Sequence, residues 1–112
     1  NLKMLENYEK HRAEHLNGIL LDLCISVLPR ILRRDIEEDG FLLADYGMDG
    51  LDGVEIEVEC ERRWRVTLDL GIGVKPSIVV TPRDLAKAIQ KAQDDACAQY
   101  EGKRSLTRRK GT

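Results

Sequence analysis

The sequence predicts an α+β fold: a bent N-terminal helix, a three- to four-stranded, mainly antiparallel sheet built on a central hairpin at 54–72, and a C-terminal helix, in two layers. Three patterns carry that expectation. Val54, Ile56, Val58 and Cys60 alternate with Glu55, Glu57, Glu59 and Glu61, and Trp64, Val66, Leu68, Leu70 and Ile72 alternate with Arg65, Thr67, Asp69 and Gly71. Alternation with period two gives a strand one oily and one wet face, so the two halves read as a hairpin covered on one side. The flanking segments instead repeat their apolar residues at three- and four-residue steps, the helical period.

Taken in order, Met4, Leu5, Tyr8, Leu16, Ile19, Leu23, Val27 and Ile31 predict helix from Asn1 to about Asp39. Asn17-Gly18 resembles a helix terminator, and Pro29 lacks the N–H that would bond back to Ile25. One long helix bent near Pro29 is expected, with two or three shorter helices as the alternative. Gly40 is placed as a C-cap of positive φ. Phe41–Ala44 reads as a short strand, Asp45–Gly53 as a loop, Gly73–Pro76 as a turn and Ser77–Val80 as a last strand. In the hairpin, a loop over either Glu61–Arg63 or Arg62–Trp64 keeps both apolar sets on one face and sets a glutamate opposite Arg65. Thr81, Pro82 and Asp84 form a helix start of N-cap, first-turn proline and first-turn acid. Leu85, Ala88, Ile89, Ala92 and Ala96 then line one side of a helix running to about Tyr100, ended by Gly102.

With 112 residues the chain is long enough for its own core, and residues 1–102 read as one α+β domain followed by a flexible basic tail, 103–112. The net charge of −2 conceals an asymmetry. Lys103, Arg104, Arg108, Arg109 and Lys110 give the tail +5, and 13 bases against 20 acids leave the rest at −7. An acidic body disfavours nonspecific nucleic-acid binding, although the basic arm can still engage phosphate or an acidic partner. Cys24, Cys60 and Cys97 are odd in number, sit in apolar-patterned segments and have no metal-site spacing, so they read as reduced core thiols of a cytoplasmic protein. No secretory signal pattern is visible in Asn1–Lys10. The oily run Gly18–Leu28 is broken by Asp22 and too short for a bilayer, so no membrane partner is expected.

Each candidate chemistry has a plainer explanation. The Asp45–Gly53 loop fails the calcium-loop template: Gly47 and Gly53 replace ligands, and Ile56 stands where a bidentate Glu is required. His11-x-x-Glu14-His15 has the inverted zincin spacing, but a short match without a third ligand or room for a substrate cleft reads as fortuitous. The alternating glutamates would repeat every ~6.6–6.8 Å along a strand, near the phosphate spacing of a nucleic acid, yet a solvated sheet face accounts for them too. Trp64 with Arg62, Arg63 and Arg65 is an aromatic and arginine cluster of the type enriched at interfaces, although its parity places the tryptophan on the apolar face and favours a core role.

These patterns favour a small non-enzymatic protein-protein interaction module (adaptor, inhibitor or assembly chaperone), self-associating as a homodimer and using no cofactor. Its alternatives are a nucleic-acid-associated protein acting through the basic arm, and an acidic inhibitor that imitates nucleic acid. The expected partner-binding residues are Trp64, Arg62, Arg63 and Arg65, and the expected arm residues are Lys103, Arg104, Arg108, Arg109 and Lys110.

Overall fold

The computed structural model describes residues 2–71 and 81–110, the last ten as backbone only. Helix α1 spans Leu2–Leu32, α2 Gly50–Trp64 and α3 Pro82–Lys110, with no strand or sheet among the described residues. The α+β expectation is therefore overturned. The alternation at 54–61 lies in a helix, and that at 66–70 lies in a segment that pairs with no strand among the described residues.

The first error has a definite cause. Asp49 caps α2 by accepting from the Asp52 N–H at 2.7 Å, while the Asp52 side chain accepts from the Asp49 N–H at 3.1 Å. This reciprocal box satisfies two of the otherwise orphaned donors, and the glutamates that follow are good helix formers depleted in strands. Ile56, Cys60 and Trp64 are four residues apart, a step common to helical and strand periods. Ile56 and Cys60 are 0 % exposed, whereas Val54 and Val58, on the same strand face in the hairpin reading, are 49 % and 58 % exposed on another side of the helix.

From Val66 to Leu70 the alternation does describe the burial. Val66 and Leu68 are buried and Leu70 is half-buried, between exposed Arg65, Thr67 and Asp69. The segment lies along α2, and its N–H groups reach that helix's carboxylates: Leu68 donates to Glu61 at 3.0 Å, and Leu70 makes a longer 3.5 Å contact with Glu57.

Helix α1 passes Asn17-Gly18 without interruption. It absorbs Pro29 through a π-helical turn, Leu23–Val27, in which Leu28 donates to the carbonyl of Leu23. A wide turn of this kind rearranges the backbone bonds beside a residue that cannot donate. The helix ends at Leu32, earlier than expected. Arg33 adopts the left-handed conformation (φ 58°) and donates to Pro29 O at 2.8 Å, the capping role assigned above to Gly40.

Gly40 instead packs against the Tyr46 ring. The expected strand at 41–44 is a turn, in which Asp45 accepts from the Phe41 N–H and donates back to the Phe41 carbonyl. The expected strand at 77–80 and turn at 73–76 lie outside the described residues. Helix α3 begins as expected, with Thr81 Oγ1 accepting from the Asp84 N–H, but its backbone continues through Gly102 to Lys110.

The core lies where the three helices meet. Ile19, Leu20, Leu23, Val27 and Leu28 of α1 pack with Ile56 and Cys60 of α2, Leu85, Ala86 and Ile89 of α3, and Leu42 and Met48 of the intervening loop. Arg83 fastens the start of α3 to that loop through Asp39 at 2.8 Å and Glu38 at 3.0 Å. By length and composition α1 is also long and apolar enough to cross a membrane, a property shared with core helices of soluble proteins. The Gly18–Leu28 run, considered alone, had implied the opposite.

Candidate protein-interaction cleft

Helix α2 returns alongside the C-terminal half of α1, and the two leave a cleft of about 330 Å³ between them. Val27 and Ile31 from α1 and Val54 and Val58 from α2 supply its apolar surface. Ser26, Arg30, Glu55, Glu59 and Arg63 supply its polar rim. The π turn contributes Ser26 and Val27, so the irregularity beside Pro29 also shapes one wall.

One end of the cleft is pinned by a bidentate pair. Arg63 donates to Asp22 from Nε at 2.6 Å and from Nη2 at 2.7 Å. The Arg63 hydrogen bonds hold the Asp22 carboxyl below the usual carboxylate range, burial opposes them, and the Arg63 charge and the Ser26 hydroxyl lower it further. The same pair raises the Arg63 guanidinium further above its ordinary value. Arg63 also sits over the Trp64 ring, 5.9 Å from its centroid. Below them, burial, reinforced by the nearby charges of Glu59 and Glu57, pushes the Cys60 thiol up to about 12, so it stays protonated and unreactive near neutrality.

Of the four residues expected to form a partner site, Arg63 lines the cleft and half-buried Trp64 adjoins it. Arg62 is turned to Glu59 at 3.0 Å, and Arg65 is the exposed left-handed cap of α2 (φ 54°). Ser26, Val27, Arg30, Ile31, Val54 and Val58 were missed. The valines were visible as alternating positions, but their role depends on the helical twist that the strand reading lacked.

The arm residues Lys103, Arg104, Arg108, Arg109 and Lys110 fall on the last turns of α3, with side chains outside the described set. The row of glutamates is not formed. Glu57 and Glu61 face the extended segment, Glu59 pairs with Arg62, and Glu55 borders the cleft.

The other motifs have structural occupations. His15 Nε2 lies 2.7 Å from Gln93 Oε1, His11 faces Glu14 at 3.7 Å, and among the described residues no group of three metal-ligating side chains converges. Asp49 and Asp52 are committed to the α2 cap, and Asp45 to its turn. The chain matches no protein-family model, and comparison with curated proteins and with solved structures finds no similar relative.

Proposed function

We propose that this chain is a small non-enzymatic interaction module that seats an amphipathic helix of a partner protein in the cleft between α1 and α2. The observation that carries this reading is the composition of the cleft: four aliphatic side chains between two helical ridges, bordered by charges of both signs. An apolar ridge of an incoming helix would cover Val27, Ile31, Val54 and Val58, while its flanking charges would meet Arg30 and Glu55. Val58 is largely exposed, so Val58→Glu is expected to leave the fold intact and to abolish capture of a stoichiometric protein from the native host. Capture that survives the substitution rejects the cleft as the site.

A second reading is supported by the continuation of α3. A helical backbone through Lys110 places Arg104 and Arg108 one turn apart and gives the five cations a common rod on which to meet phosphate. Salt-dependent binding of DNA or RNA that disappears when 103–112 are removed would favour this role over the first.

A further inference from the structure

We infer that the segment 66–70 accepts an extended strand of a partner protein along its outer edge, in the groove that separates it from α3. Its residues alternate between buried and exposed, as those of an extended chain do, and such a chain points successive backbone N–H and C=O groups to opposite sides. Val66, Leu68 and Leu70 turn theirs toward α2: Val66 donates to the Glu61 carbonyl at 3.2 Å, and the Glu61 and Glu57 side chains take the other two N–H groups. The backbone groups of Thr67 and Asp69 therefore point away from α2. No hydrogen bond joins either of them to a described residue.

A groove of about 420 Å³ lies on that side, bordered by α3 and, among the described residues, by nothing from α2. Thr67, Leu68, Asp69 and Leu70 all line it, although their side chains alternate between solvent and core. A wall shared by consecutive residues of alternating direction is a wall of backbone. Opposite it, α3 presents Ala88, Ala92 and Ala96 in one row and Lys91 and Asp95 in the next.

Backbone chemistry decides the occupant. Thr67 and Asp69 each offer a donor and an acceptor, so carboxylates like those on the other edge would answer only the donors. A docked helix has spent its backbone groups internally, and an acyl chain has none. Water can pair with the edge but leaves the alanine row bare. A strand does both: in antiparallel register the residues opposite Thr67 and Asp69 each exchange both backbone bonds, and the residues between them cover the alanines. Arg65 (φ 54°) and Gly71 (φ 62°) are both left-handed and bound the edge, so the paired stretch matches 66–70. Guest side chains opposite Val66, Leu68 and Leu70 face the groove floor, where β-branched aliphatic groups fit. Those opposite Thr67 and Asp69 face outward among Asp69, Asp95 and Lys91, an acidic balance that favours a basic residue. This edge is separate from the cleft between α1 and α2, and the inference does not rest on the function proposed for that cleft.

The probe is the capped peptide acetyl-Val-Lys-Val-Lys-Val-amide, with valines for the floor and lysines for the outer side, read by amide NMR and hydrogen exchange on the full chain. At millimolar peptide the Thr67 and Asp69 amides are expected to exchange at least about tenfold more slowly and to shift together with those of Ala88 and Ala92. Methylating the lysine backbone nitrogens of the peptide removes the donors that meet Thr67 and Asp69, and should weaken binding at least about tenfold. Asp69→Pro removes a donor from the edge itself and should weaken binding likewise, with circular dichroism to verify the helix content. The methylated peptide tests the edge on the native chain whatever that substitution does to the fold. Thr67 and Asp69 amides already protected in the free chain overturn the inference, because the edge would then be paired. Unchanged exchange at millimolar peptide, equal binding of the methylated peptide, or shifts confined to Val54 and Val58 of the cleft also overturn it.

Discussion

Glu61 Oε2 accepts the backbone N–H of Leu68 at 3.0 Å, so a helix side chain stands where a neighbouring strand's carbonyl would stand in a sheet. Glu57, one turn earlier, reaches toward the N–H of Leu70. The match is geometric. Four residues of helix rise about 6 Å and two residues of extended chain about 6.6–6.8 Å, so carboxylates at i and i+4 can follow N–H groups at j and j+2. In this way a segment with no strand partner among the described residues meets part of its backbone hydrogen-bonding requirement beside a helix.

Glu61→Ala should destabilise the fold by about 1–3 kcal/mol, because it leaves a partly buried N–H without its acceptor. Glu61→Gln keeps an oxygen in place and should cost less. Urea unfolding of both variants measures the difference, and faster hydrogen exchange at the Leu68 amide in Glu61→Ala would locate it. Equal stability of all three chains would show that water replaces the carboxylate without penalty.

Ile56 and Val54 separate the helical fold from the sheet that the alternation suggests. Ile56 is fully buried, so Ile56→Ala should cost about 2–5 kcal/mol through lost contacts and the cavity left behind. Val54→Ala, at a half-exposed position on the apolar surface of the cleft, should fall within about 0.5 kcal/mol of the parent. In a hairpin both residues would share one buried face and both truncations would be severe. Thermal unfolding of the pair therefore tests the architecture directly.

The same residues show how much of the fold was legible. Thr81, Pro82 and Asp84 announced the start of α3 because capping chemistry is local, and the apolar steps from Leu16 to Val27 announced the core side of α1. The 54–61 alternation misled because Ile56 and Cys60 satisfy period two and period four together. The Asp49–Asp52 box was the signal that could have arbitrated, since it caps a helix within four residues of sequence. The cleft was less accessible still: it depends on a π turn beside Pro29 and on the Asp22–Arg63 contact across 41 residues of chain. Nothing local to either residue encodes that approach.

Gly40 is required by packing rather than by its backbone angle. A Cβ added there would fall on the Tyr46 hydroxyl and ring, whose oxygen accepts from the Glu37 N–H at 2.8 Å. Gly40→Ala should therefore displace Tyr46 and destabilise the fold by about 1–3 kcal/mol. In a Tyr46→Ala background the same substitution should have little further effect, a non-additivity that a double-mutant cycle in urea would measure.

The three thiols should react in a fixed order. Only Cys60 is the core thiol that the apolar pattern suggested for all three: Cys97 is exposed and Cys24 half-buried. Burial, then the charge of Glu38, raises the Cys24 thiol above its ordinary value, and Cys60 lies higher still, at about 12. A thiol-reactive dye at neutral pH should label Cys97 first, Cys24 slowly, and Cys60 only when the core opens. Since the thiolate is the nucleophile, raising the pH modestly should not release Cys60, whereas denaturant should. Rapid labelling of Cys60 in the native chain would contradict its position beneath the cleft.

The Asp22–Arg63 pair gives stability a predictable dependence on pH. The folded-state pKa of Asp22 is depressed, chiefly by the Arg63 hydrogen bonds, whereas in the unfolded chain it returns to about 3.9. A group with a depressed folded pKa contributes its full stabilisation above the unfolded value and loses it as pH falls through the folded value. Asp22→Asn should therefore be less stable than the parent from pH 5 upward, with the two curves converging on acidification below about pH 4. Both side chains are about one-third exposed, so solvent screens the pair and a difference near 1 kcal/mol is expected at neutral pH. Urea midpoints from pH 2 to 7 for both chains measure it. A gap that persists unchanged at pH 2 would assign the loss to packing at the Asp22 side chain rather than to its charge.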